Sequence, residues 1–299
     1  MKLSIIIVNY NLSKELSVCL DSILSTIKTD FEILVIDNNS TEREVEQLSA
    51  KYSTVKFFLL SENLGFGRAN NYAAENCKGD YILFLNPDTK VIQDFISPIL
   101  NFMDNQKLAG ACGPMLLNND QTYQDSTGIT LGYIYESCEA FMLIKYLRMI
   151  YRSYILKKGY EQNPVEVSWL SAACLIISGK LFLEIGCFNP DFFLNYEDID
   201  LCERVRIVGK KIFYFTDLSC VHSDQTVQKK NFESFVYNRY YGRLTYSKYH
   251  YKPFKRMTIR VIHILGLILR MIIAPFKYAG KEKSERISGY KKAFNLYIK

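Results

Sequence analysis

The sequence has eight cysteines but no Cys-x-x-Cys pair, and only three histidines and one tryptophan in 299 residues. A thiolate zinc site is thereby excluded. Cys19, Cys77, Cys112, Cys138, Cys174, Cys187, Cys202 and Cys220 are spread singly, mostly in apolar runs where a free thiol acts as a small hydrophobe, which points to a reducing compartment. No signal peptide is read at the N-terminus, because the apolar run Leu3 to Val8 is short and passes straight into Asn9-Tyr10-Asn11. A membrane span needs about 18–20 mainly apolar residues. The longest candidate, Val261 to Ala274, has 14 and contains His263 and Arg270. Repeats and low-complexity segments are also missing, and 48% apolar with 23% charged residues describes a globular chain.

Charge of one sign is scarce at one end. From Thr226 to Lys299 there are 17 basic and 3 acidic residues, against 20 basic and 28 acidic before it. An acidic body of residues 1–225 therefore precedes a basic region, 226–299, whose neighbour is a polyanionic surface. The aliphatic content of that region favours a membrane and argues against nucleic acid. Arg256, Arg260, His263, Arg270, Lys277 and Lys281 fall within an arc of about 100° on one helical face, with aliphatics on the rest. This pattern predicts an amphipathic helix lying in the plane of a membrane interface. A weaker candidate is Phe141 to Tyr160, where Lys145, Arg148 and Arg152 share a face, as an acceptor-side lid or second membrane contact.

What is present in the first third is alternation of two periods. Leu3 to Val8, Glu32 to Ile36, Val55 to Leu60 and Tyr81 to Leu85 read as buried parallel strands. Leu12 to Ile27, Glu42 to Lys51 and Ala69 to Cys77 read as helical crossovers. The pattern predicts an α/β, doubly wound, mostly parallel sheet, whose ligands sit beyond the carboxyl ends of its strands. Further strands are expected near Ala172 to Ile177 and Ile212 to Phe215, while Leu108 to Val167 shows no clear period.

Those carboxyl ends are polar. Asn9 ends the first strand, and Asp37 the second, where a carboxylate either caps the turn of Asn38-Asn39-Ser40 or accepts from a base or ribose. Asn63 to Asn71 places Gly65 and Gly67 between a strand and a helix, with Arg68 after them. The third glycine of a dinucleotide motif is replaced by Asn70, which excludes a nicotinamide dehydrogenase. The two glycines either make a tight turn or let the backbone approach a nucleotide, with Arg68 near its phosphates. Asn86-Pro87-Asp88 is either a plain turn or a carboxylate set to hold a divalent cation at a diphosphate, and His222 closes the same edge. Glu197, Asp198 and Asp200 open a helix, where successive side chains point about 100° apart. They cannot all face one substrate atom, so one is catalytic and the others positional. Trp169 is either core or an apolar platform for a sugar.

Taken together, S-I-I-I-V-N-Y-N at Ser4 to Asn11, V-I-D-N-N-S at Val35 to Ser40, N-L-G-F-G-R-A-N-N at Asn63 to Asn71, F-L-N-P-D at Phe84 to Asp88 and F-F-L-N-Y-E-D-I-D-L-C-E-R at Phe192 to Arg204 resemble glycosyltransferase family 2. The branch most similar is the bacterial rhamnosyltransferase-like enzymes of cell-surface polysaccharide assembly. The resemblance covers roughly residues 3–225. It implies a GT-A fold and an inverting transfer from a nucleotide sugar, here dTDP-rhamnose, to a hydroxyl of a polyprenyl-diphosphate-linked or polysaccharide acceptor. It implies Asp198 as general base with Glu197 as second candidate, and Asp200 and Trp169 on the acceptor side. The donor set it implies is Asn9, Asp37, Asn63, Gly65, Arg68, Asn86 and Asp88, with Mg²⁺ or Mn²⁺ held by Asp88 and His222. Asn86 stands where the family's metal motif usually has its first Asp, which removes one charge from that site. The implied location is cytoplasmic, peripheral at the inner face of the plasma membrane. A UDP-hexose donor is the alternative within the class, and a catalytically silent nucleotide-sugar-binding subunit the alternative outside it.

Overall fold

The apolar runs of the first third become the centre of one sheet. In a computed structural model describing residues 1–42, 44–223 and 232–298, β1 (Leu3–Asn9), β2 (Phe31–Asp37), β3 (Lys56–Leu59) and β4 (Tyr81–Leu85) pair in parallel in the order β3-β2-β1-β4. Leu3, Ile5, Ile6 and Ile7 are fully buried because helices cover both faces of β1. The expectation of a buried third strand is corrected. β3 pairs only with β2, and as an edge strand it carries exposed Leu59. The crossovers are α1 (Ser13–Thr26), α2 (Glu44–Lys51) and α3 (Phe66–Ala74), and Leu16, Cys19, Leu20 and Ile23 form the buried face of α1 as their spacing predicts.

The second half of the sheet is mixed. β8 (Cys174–Ser178) runs antiparallel to β4 and to β6 (Ala109–Leu117), and β9 (Lys211–His222) runs parallel to β6. The two-residue β5 (Thr89–Lys90) pairs antiparallel with the end of β9, setting Thr89 opposite His222. β7 (Val165–Val167) also pairs with β9. This is the GT-A architecture, a mixed, largely parallel central sheet with flanking helices.

The chain divides into two compact units. The sheet belongs to the first, Met1–Gly128 with Tyr154–Pro190 and Asp198–Asp224. The second combines Ile129–Ser153, Asp191–Glu197 and Gln225–Lys299. The boundary expected at residue 225 lies outside the described residues. The second unit is helical: α5 (Tyr133–Ala140), the start of α6 (Ile144–Glu161), α9 (Phe232–His250), α10 (Pro253–Lys277) and α11 (Gly280–Ile298). Its core is Val236, Tyr240, Leu267, Ala274, Tyr290, Ala293 and Tyr297.

α10 is amphipathic, as its period predicts, but the middle of its basic stripe, Arg260, His263 and Arg270, turns inward, while Arg256 and Lys277 are exposed. His263 donates or accepts at Glu136 across 2.8 Å, Arg270 reaches Glu139, and the Arg260 Nε donates to the Tyr297 carbonyl. The outward face is apolar. Phe254, Met257, Val261, Leu265, Ile268, Ile272 and Phe276, spaced three or four apart, are all exposed.

Candidate active site

Parallel register places Asn9 beside Asp37 at the carboxyl ends of β1 and β2. The Asn9 Nδ2 donates to Asp37 Oδ1 at 2.9 Å, and the Ser40 N–H and hydroxyl donate to the same carboxylate at 3.0 and 2.6 Å. The capping geometry is thus present, and Asp37 holds its own turn at the carboxyl end of β2. Asn38, not singled out by the sequence, locks the neighbouring loop. Its amide donates to Asn63 Oδ1 and to the Gly65 carbonyl, and its oxygen accepts from the Leu64 N–H. Gly65 takes φ +81°, a left-handed value that favours glycine, just before α3. On that helix the Arg68 Nε donates to the Pro190 carbonyl, and Asn71 exchanges two hydrogen bonds with Phe188.

The turn after β4 presents the second group. Asp88 Oδ1 lies 3.2 Å from His222 Nε2, and Asn86 Nδ2 lies 3.1 Å from the same nitrogen. The Gln124 amide donates to Asn118 Oδ1 and to the His222 carbonyl, so its oxygen is the atom 2.7 Å from His222 Nδ1. The tautomer assigned from this network carries its proton on Nδ1. Nε2 then faces both the Asn86 amide and the Asp88 carboxylate. An imidazole nitrogen and a carboxylate oxygen 3.2 Å apart are a donor pair that would fit Mg²⁺ or Mn²⁺. Among the described residues no cluster of three or more His, Cys, Asp or Glu stands in a metal-holding arrangement.

The backbone leading into β8 joins this turn to the candidate base. The Asn86 N–H donates to the Ala173 carbonyl, and the adjacent Ala172 N–H donates to Asp198 Oδ2 at 3.3 Å. Asp198 Oδ1 also accepts from the Ile199 N–H at 2.8 Å in the first turn of α8 (Glu197–Ile207). Burial pushes the Asp198 carboxyl up to about 6, with the Ile199 and Ala172 N–H groups working against it. That value suits a base working near neutrality.

Asp200, Glu197 and Trp169 are the three further expected residues. Asp200, expected on the acceptor side, is buried and bound by the fork of Arg204 at 2.9 and 2.8 Å, and Arg204 also donates to the Ile185 carbonyl. That pairing braces α8. Glu197 is buried at the start of the same helix. Trp169 is half-buried with its indole against Gly128, where a Cβ would stand 2.7 Å from the ring. Its carbonyl accepts from the Thr127 hydroxyl. Gln124 had no sequence signal, since it lies in the stretch without a clear period.

The family model for glycosyl transferase family 2 matches residues 4–172. The chain belongs to that family. This family 2 chain is 24% identical over 231 residues to the N-acetylglucosaminyl-diphospho-decaprenol L-rhamnosyltransferase of Mycobacterium tuberculosis (strain H37Rv), covering 74% of this chain and 75% of that one. It is 24% identical over 209 residues to the dTDP-rhamnosyl transferase RfbF of Shigella flexneri, covering 68% and 64%. Among solved structures, GalNAc-T7 with UDP, GalNAc and Mn²⁺ superposes with a TM-score of 0.62 at 13% identity, over all of this chain. The chain spans 56% of that protein's length, and at this identity the likeness shows the fold alone.

Proposed function

We propose that this family 2 chain is an inverting glycosyltransferase that moves L-rhamnose from dTDP-rhamnose to a hydroxyl of a lipid-linked saccharide at the inner face of the plasma membrane. The observation that carries the reading is the link from Asp198 through Ala172 and Ala173 to Asn86-Pro87-Asp88 and His222. It brings a carboxylate poised near neutrality and a diphosphate-type cation site to one end of one sheet. Names of relatives that act on diphospho-decaprenol and use dTDP-rhamnose support the acceptor and the donor.

Asp37, with Asn9 and Ser40 fixing its carboxylate, receives the N–H of the base or the ribose hydroxyls. Asn63 and Gly65, held by Asn38, shape the loop beside it, and Arg68 flanks the phosphates. Asp88 and His222 would hold a divalent ion, which when bound would neutralise charge on the departing diphosphate. Asp198 accepts the proton of the acceptor hydroxyl as that oxygen attacks the anomeric carbon, an assistance worth about 10²–10⁴-fold. A single displacement with one base and no covalent sugar–enzyme bond inverts the anomeric centre.

The test is calorimetric binding of dTDP-rhamnose, UDP-glucose, UDP-N-acetylglucosamine and UDP-galactose to the purified chain, each with Mn²⁺ and with chelator. The expected result is selective binding of dTDP-rhamnose that needs metal and is weakened by Asp88→Ala. Selective binding of a UDP-hexose overturns the donor. Wild-type affinity in chelator overturns the role of Asp88, and binding of no donor favours a silent subunit.

A further inference from the structure

The helical unit contains a cavity of about 290 Å³ whose lining is strongly one-signed. Lys145 and Arg148 of α6, Arg239 of α9, Arg270 and Lys277 of α10 and Arg286 of α11 all border it. Glu139 of α5 is the one acid in the lining. Burial opposes its ionisation, but the charges of Arg239, Arg243, Arg270 and Arg148 outweigh burial and hold the carboxyl at about 2. Glu139 is therefore ionised, pairing with Arg239 at 3.0 Å and Arg270 at 3.8 Å; Arg286 pairs with Glu282 at 2.9 Å, so six lining cations are set against two carboxylates. Gathering like charges from four helices around a small space costs Coulomb energy that an anion in that space removes.

We propose that this cavity is a binding site for a phosphate monoester or diphosphate headgroup, and that a membrane lipid supplies it. The chemistry follows from the lining. Arg270 and Arg286 bring guanidinium groups, which match phosphate oxygens, Arg270 being braced by Glu139 and Arg286 by Glu282 over the rings of Phe232 and Tyr278. Lys145 and Lys277 are exposed point charges at the same cavity. The volume lies at the small end of ligand sites, suited to a headgroup. The lipid source follows from the same unit's surface, where α10 exposes an apolar stripe from Phe254 to Phe276 on the side away from its cavity-lining residues. The site is distinct from the donor machinery and does not depend on which sugar is transferred.

The test uses the full chain in chelator and in an Asp88→Ala background, so that the donor site does not contribute. Inorganic pyrophosphate is titrated by calorimetry. Co-flotation is then measured with phosphatidylcholine vesicles, plain or carrying phosphatidic acid, a monoester, or phosphatidylglycerol, a diester. The cavity variant is Lys145→Glu with Lys277→Glu, and the control is Lys281→Glu with Lys291→Glu, an equal charge change on α11 outside the lining. The expected result is one-to-one pyrophosphate binding and preferential flotation with phosphatidic acid, each weakened at least about tenfold in the cavity variant and little in the control. Pyrophosphate binding lost in the cavity variant with flotation unchanged overturns the lipid source and leaves a soluble phosphate. No pyrophosphate binding, or equal losses in both variants, overturns the site.

Discussion

Asp198, as the proposed base, would serve the reaction at the expense of the fold. Its carboxyl is raised from an ordinary value of 3.8 to about 6 by burial. As a base it works only when ionised, so log kcat/KM is expected to rise with slope near one as pH increases towards 6 and to level off above it. For stability the sign is opposite. A carboxyl whose folded value exceeds its unfolded value contributes most below the unfolded value, and that contribution is lost as pH rises through about 6. Asp198→Asn is therefore expected to cost about 10²–10⁴-fold in transfer while keeping donor affinity, and to stabilise the fold at pH 7 by about 1–3 kcal/mol. Radiolabelled transfer, calorimetry and urea unfolding read the three effects, and near wild-type turnover would remove Asp198 from its role. Gln124 acts one step further out. Gln124→Ala is expected to weaken metal-dependent donor binding about 10–100-fold, with Gln124→Glu restoring much of it because an oxygen again faces His222 Nδ1. Equal loss in both variants would point to collapse of the hairpin around Asn118 rather than to imidazole orientation. Asp37, Asp88 and Asp198 were legible because each follows a recognisable strand or opens a helix. Gln124 was not, since 98 residues separate it from His222 and only the pairing of β6 with β9 brings the two segments together.

At the scale of elements, period proved easier to read than direction. The spacing of α10 fixed a basic stripe, but which side meets protein depends on what that stripe faces. Its partners, Glu136 and Glu139, sit on α5 in the stretch from Leu108 to Val167, where no period marks an element. The result is a buried cluster. Glu136 is fully buried, 3.0 Å from the Arg243 Nε and 2.8 Å from His263, and Arg243 lies over the rings of Tyr196 and Tyr240. Burial opposes ionisation of Glu136, yet Arg243 and His263 hold its carboxyl below the ordinary range. Removing the charge leaves a buried guanidinium uncompensated, so Glu136→Gln is expected to destabilise the helical unit by about 3–5 kcal/mol. Glu136 and Glu139 have depressed folded values, so their stabilisation is complete above about 4.5 and is lost as pH falls through those values, about 2 for Glu139. Circular dichroism melts from pH 6 to pH 2 check both statements. The gap between wild type and Glu136→Gln should close on acidification, and a gap that stays constant would mean that packing rather than charge holds α5 to α10.

Across the whole molecule the separation of charge seen in the sequence acquires a physical meaning only when the apolar stripe is added. The basic region carries 17 cations against 3 acids, but Arg239, Arg243 and Arg270 are spent inside the helical unit on Glu136 and Glu139. Attraction to anionic lipid is correspondingly smaller than the formal charge suggests, and the stripe from Phe254 to Phe276, about 33 Å long at 1.5 Å per residue, has to supply the rest. α10 has 25 residues and a window of mean hydropathy 1.9, so it is long and apolar enough to cross a bilayer. Crossing would expose His263 and Arg270 to hydrocarbon and strip them from Glu136 and Glu139, at several kcal/mol for the buried pairs alone. The in-plane arrangement keeps those pairs and buries only the stripe. The chain is therefore expected to float with anionic vesicles, to bind more weakly but still measurably at high salt, and to be released by alkaline carbonate. Leu265→Asp with Ile272→Asp, both at exposed positions, is expected to abolish flotation without lowering the melting temperature. Carbonate-resistant wild type would establish a crossing helix instead, and flotation unchanged in the double variant would remove the stripe from the membrane contact.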